Sequence, residues 1–119
     1  MSANRNKTIL IRISGNKGRY DFTYEPSTVN VHAGQTIEIA LAARGPVDKV
    51  WVVFDVPVDG GKNFNRPVMA EKSEGAGPPQ NATRISLEGV PLGVHHYRVI
   101  GFTKDHLVAD IYCPSIIVN

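Results

Sequence analysis

The sequence predicts an all-β fold: one domain built as a two-sheet Greek-key sandwich. Three observations carry this. Apolar residues recur with a period of two in several short runs, as half-buried strands require. Eleven Gly and eight Pro punctuate those runs, and such residues end strands and build turns. No stretch shows the 3.6-residue period of a long helix.

Composition sets the outer limits. At 119 residues, 42% hydrophobic and 20% charged, the chain is long enough for a single core and too apolar for general disorder. The reading is therefore a single domain over 1–119. The formal net charge is +2, which selects no class of partner, and nucleic acid is not expected. The charge is unevenly spread. Arg5, Lys7, Arg12, Lys17 and Arg19 meet no Asp or Glu within residues 1–20, and the rest of the chain has 8 basic against 11 acidic side chains. Cations at the start of a β-protein protect strand edges from pairing with other chains. Cys113 stands alone, so an internal disulfide is excluded. The first residues hold no apolar run of signal-peptide type, and no run is long enough to span a bilayer. These features read as cytoplasmic.

Along the chain, residues 8–13 form the first strand, with Ile9, Ile11 and Ile13 on one face. The turn residues Ser14-Gly15-Asn16-Lys17-Gly18 join it to 19–24 as a hairpin. In that second strand Tyr20, Phe22 and Tyr24 alternate with Asp21, Thr23 and Glu25. Such a stripe could stack sugars or bases, but the same alternation is what burial requires, and the core reading is preferred. Pro26, which has no N–H for a ladder, ends the run. Val29 and Val31 resume it, Gly34 turns the chain, and Ile37, Ile39 and Leu41 continue it.

Tyr24-x-Pro26, followed by Val29-x-Val31-x-x-Gly34-x-x-Ile37-x-Ile39, resembles the N-terminal half of cupredoxin-like domains. Arg44-Gly45-Pro46 through Val52-Val53-Phe54-Asp55 is similar to a plastocyanin-type strand. The resemblance covers roughly half of the chain and implies a cupredoxin-like sandwich; an immunoglobulin-like one would share the strand pattern. A blue-copper centre of that family takes two His, a Cys and usually a Met. On this alignment the first His position falls at Val50. No Cys follows Tyr97-Arg98-Val99, and Cys113 is followed by Pro114 and Ser115. The resemblance thus implies the sandwich without its copper ligands, and no cofactor is expected.

Residues 42–48 connect to 49–56, where Val50, Trp51, Val52, Val53 and Phe54 put apolar groups on both faces. That pattern predicts a central strand with Trp51 in the core. Residues 57–81 are irregular, and 68–72 could form one helical turn or a short strand. Loops of this length in small domains are often binding surfaces. Strands follow at 82–88, 94–102, 107–112 and 115–118, separated by turns at 89–93 and 103–106 and by Pro114. The expected total is roughly seven to nine strands.

No catalytic motif is present. The serines lack a Gly-x-Ser-x-Gly setting, and Asp59-Gly60-Gly61-Lys62 is not a P-loop. Cys113 reads as a structural thiol. His32, His95, His96 and His106 have no zinc or copper spacing. His96 and His106 could meet across the 94–102/107–112 hairpin, the one candidate metal pair. His95 must face away from His96. The leading reading is a non-catalytic binding or assembly module for an unknown protein or small-molecule ligand. Its expected surface is the 57–81 loop, with Asp59, Lys62, Arg66, Glu71 and Lys72 as contact candidates, beside the 42–48 and 103–106 turns. The alternatives are a metal-binding protein using His96 and His106, and a small enzyme with its site in that loop. Exposed edge strands are the route by which a homodimer would form.

Overall fold

The computed structural model describes residues 7–16, 19–43, 47–59, 68–71, 82–105 and 107–119. They form ten strands and no helix: β1 (Lys7–Asn16), β2 (Arg19–Glu25), β3 (Thr28–Val31), β4 (Thr36–Ala43), β5 (Lys49–Phe54), β6 (Val68–Glu71), β7 (Ala82–Ser86), β8 (Gly93–Phe102), β9 (Leu107–Ala109) and β10 (Ser115–Val118). The total exceeds the expected range because 68–71 is a strand; the strand expected over 107–112 is shorter and ends at Ala109.

In the first sheet β1 pairs β2 as the expected antiparallel hairpin, Ile13 opposite Phe22, and pairs β4 in parallel on its other side. β7 and β6 share the far flank of β4. In the second sheet β8 pairs β5 on one flank, and β9 and β10 on the other. β3 adds to β10 in parallel. β6 pairs with both β4 and β5 and so joins the sheets along one side. The strand order ends at β2 and β3, which are consecutive in the chain and linked through Pro26.

Neither the Pro26 nor the Gly34 turn makes a hairpin. Each carries the chain from one sheet to the other. β3 takes its ladder from β10, reinforced by Ala33 N donating to Asn119 O at 2.9 Å. β4 takes its ladder from β1 and β7. The period of two still serves the core, because both sheets turn their apolar faces inward. Ile9, Ile11, Ile37, Ile39, Leu41 and Ile85 meet Val29, Val31, Val50, Val52, Val99 and Ile116 there. Tyr24 is buried with them, and Tyr20 and Phe22 pack against the cluster, so the aromatic stripe of β2 is core rather than a stacking platform.

Residues 110–114 leave the β8 ladder between two fixed points. Asp110 N donates to Val99 O, and Tyr97 N donates to Pro114 O. The intervening residues bulge outward: Ile111 is fully exposed and Tyr112 half exposed.

Candidate binding face

Of the two histidines expected to act together, only His96 lies among the described residues. His96 lies on the outward side of β8, opposite Ser115 of β10. His106 lies outside the described residues. Its neighbour Leu107 stands opposite Phe102, six positions along β8 from His96, or about 20 Å of strand. His95 points the other way, as expected. Its Nε2 donates to Pro91 O at 2.7 Å and its Nδ1 faces Asp55 Oδ1 at 3.6 Å. Among the described residues no three His, Cys, Asp or Glu side chains converge.

The loop candidates are only partly visible. Lys62, Arg66 and Lys72 lie outside the described residues, and Glu71 is described only as part of the β6 backbone. Asp59 acts as an anchor: its N–H donates to Ser86 O at 2.8 Å, and its Oδ1 accepts from Ser86 N at 3.4 Å. The described parts of the two flanking turns lie together, with Asp48 N donating to Phe102 O. Asp59 lies beyond the opposite end of β5, a strand of six residues and so about 20 Å long.

The feature that stands out is the solvent side of the second sheet. Three cross-strand rows follow from the registers. Lys49, Phe102 and Leu107 form one; Trp51, Ile100 and Ala109 the next; Val53 and Arg98 the third. Trp51 is therefore not a core residue, a correction to the expectation above. The inward positions of β5 are Val50, Val52 and Phe54, and Trp51 is half-buried on the outer face. β5 is central as predicted, between β6 and β8. Its doubly apolar character comes from an apolar solvent face, not from burial on both sides. The signal that could have shown this is Lys49: on an alternating strand it marks its own face as outward, and Trp51 and Val53 share that face.

The apolar groups on this face are held by one another. The Trp51 and Phe102 rings meet edge-on at 6.4 Å, and Lys49 Nζ sits 5.6 Å from the Phe102 centroid, within cation–π range. Val53 remains 41% exposed and Leu107 63%. Arg98 Nη2 lies 3.6 Å from Cys113 Sγ. The outward positions of β3, β5, β8, β9 and β10 hold Lys49, His96 and Arg98 but no Asp or Glu.

The outer face of the first sheet has the opposite character. Arg12 Nε pairs with Glu25 Oε2 at 3.2 Å, Arg84 Nε with Glu38 Oε2 at 3.0 Å, and Thr8 Oγ1 donates to Glu38 Oε1 at 3.3 Å. Charges there are matched across strands, as on a surface that faces water.

A tyrosine cluster closes the core near the 110–114 bulge. Tyr24 donates to Asp110 Oδ2 at 2.7 Å, meets the Tyr97 ring edge-on and packs against the tilted Tyr112 ring. Burial, then the Asp110 carboxylate, pushes the Tyr24 phenol above its ordinary range. Burial pushes Tyr97 up in the same direction. Both hydroxyls stay protonated in ordinary conditions.

No family model and no curated protein matches the chain. Solved structures do.

The chain is similar to a purple cupredoxin from Nitrosopumilus maritimus.

Identity is 18% over 96% of this chain and 100% of that one, with a TM-score of 0.49. It is also similar to a chain of a heme-copper terminal oxidase dimer, at 20% identity over 96% of this chain and 65% of that one, with a TM-score of 0.42. The assignment as an all-β sandwich rests on the strand order and registers above.

The described residues do not fit a blue-copper centre. Val50, at the first His position implied by the resemblance, is aliphatic and fully buried. Both ring nitrogens of His95 are engaged, and Cys113 stands beside Arg98 rather than within a His set. No helix among the described residues is long and apolar enough to cross a membrane.

Proposed function

We propose that the chain is a non-catalytic binding or assembly module, a cupredoxin-like sandwich without a blue-copper site, that works through the outer face of its second sheet. The observation that carries this is the contrast between the two outer faces. One matches its charges across strands. The other lines up Trp51, Val53, Ile100, Phe102 and Leu107 in adjacent cross-strand rows. Contiguous apolar surface of this kind marks interaction sites, and Trp and Arg are among the residues enriched where binding energy concentrates. A rigid sheet presents such a surface with little ordering cost on association.

The test is site-specific photocross-linking in the source cells. A benzoylphenylalanine at Val53 is expected to give discrete adducts. The same group at Thr23, on the outer side of β2, is expected to give none, and Leu107→Glu is expected to suppress the Val53 adducts. Equal labelling at both positions, or no adduct at Val53, would refute the reading.

A further inference from the structure

The charge on this face identifies the chemistry of its partner. We infer that the face docks a protein segment whose apolar side chains are flanked by carboxylates, an inference that rests on the binding-module reading above. The warrant is the placement of two cations. Lys49 heads the first row, and Arg98 stands in the third, opposite Val53. They sit four residues apart in register, about 13 Å, with Trp51 between them. Neither has a carboxylate partner among the described residues: Lys49 lies over an aromatic ring and Arg98 beside a thiol. His96 adds a third basic side chain along β8.

Each alternative occupant meets a physical objection. A second copy bound face to face would bring Lys49 and Arg98 of each copy against the same cations of the other, and like charges across an interface are costly. An anionic lipid surface would meet the cations, but membrane docking needs apolar groups that project some 5–10 Å into the headgroup region. Here Trp51 and Phe102 are half-buried with their rings packed edge-on against each other, and of the large apolar side chains in the three rows only Val53 and Leu107 are well exposed. A segment with aliphatic residues over the middle row and an acidic residue toward each end satisfies both the apolar area and the charge. Arg98 suits one carboxylate through a two-pronged hydrogen bond, and Lys49 suits the other as a point charge.

Trp51 is the chain's only Trp, so its emission reports directly on occupancy. The probes are three synthetic ten-residue peptides of alternating Val and Phe. They carry two Glu four residues apart, two Lys at the same places, or two Gln. The Glu peptide is expected to shift Trp51 emission to the blue and to bind about tenfold or more tightly than the Lys peptide, with affinity falling as salt rises. Lys49→Glu/Arg98→Glu is expected to reverse the preference. Both side chains lie on the solvent face, so folding is checked by melting, and Lys49→Glu alone serves as the milder variant. Equal affinity for the three peptides overturns the charge argument while leaving the binding-module reading in place. Binding by none overturns it too, and the module reading then depends on the cross-linking alone. Preferential binding to phosphatidylserine vesicles, or salt-resistant self-association abolished by Leu107→Glu, would assign the face to a membrane or to a second copy and would also overturn it.

Discussion

Replacing Tyr97 by Phe removes one oxygen from the core and leaves the ring. That ring is 2% exposed, packs at 5.4 Å from Phe54 and 6.2 Å from Tyr24, and would keep these contacts. The hydroxyl is buried with no hydrogen-bond partner among the described residues. A hydroxyl held this way costs about 1–3 kcal/mol in lost hydration. Tyr97→Phe is therefore expected to leave stability unchanged or raise it by up to about 2 kcal/mol. Tyr24→Phe is the control, because its hydroxyl donates to Asp110 at 2.7 Å. A hydrogen bond to a charged group contributes about 1.5–3 kcal/mol, and the part-exposed position of Asp110 places the loss near the lower figure. The two variants should differ by about 1.5–3.5 kcal/mol, a gap of roughly 5–15 °C in Tm for a domain of this size. Urea unfolding followed by Trp51 fluorescence, with thermal melts by circular dichroism, measures both. A loss of more than about 1 kcal/mol in Tyr97→Phe would refute the reasoning, since it would mean the oxygen has a partner.

The same tyrosines predict an alkaline limit. Their folded-state values are raised, so above about pH 10, where an unfolded phenol ionises, the unfolded chain holds fewer protons and stability falls with rising pH. Below that pH their contribution is fully present. Absorbance at 295 nm should show Tyr24 and Tyr97 ionising only with unfolding, and Tyr24→Phe/Tyr97→Phe should flatten the alkaline loss. At the end of the first hairpin Gly15 has φ 121°, and an added Cβ would collide with Arg19 O. Gly15→Ala should cost about 1–3 kcal/mol or more in a urea melt, whereas a cost below about 0.5 kcal/mol would mean that the turn rebuilds freely.

Much of the fold was legible because side-chain direction in a strand has a period of two. Ile9, Ile11 and Ile13, Val29 and Val31, and Ile37, Ile39 and Leu41 each separate cleanly from their polar neighbours, and all are buried as expected. The β1–β2 hairpin was legible too, since its turn chemistry lies within five adjacent residues. The candidate site was much less so. His106 lies outside the described residues, and His96 stands opposite Ser115 of β10, because the chain leaves the β8 ladder after Asp110 and rejoins it beyond Pro114. The working face was hidden for a related reason. Apolar residues at both parities of β5 are compatible either with burial on two sides or with one core face and one exposed apolar face. Only the position of Lys49 favoured the second.

The sequence by itself determined which residues share a face, because that is a property of each strand's own backbone. It also determined where strands stop, because Pro26 lacks a ladder donor and Gly34 accepts positive φ. Tertiary structure decided which strands are neighbours and which faces are covered. The Pro26 and Gly34 turns could have closed hairpins. They cross between sheets because β3 finds its ladder on β10 and β4 finds its own on β1 and β7, partners many residues away. Hydrogen bonding between strands carries no memory of sequence distance. For that reason the solvent exposure of Trp51, and with it the proposed binding face, appears only once the two sheets are packed.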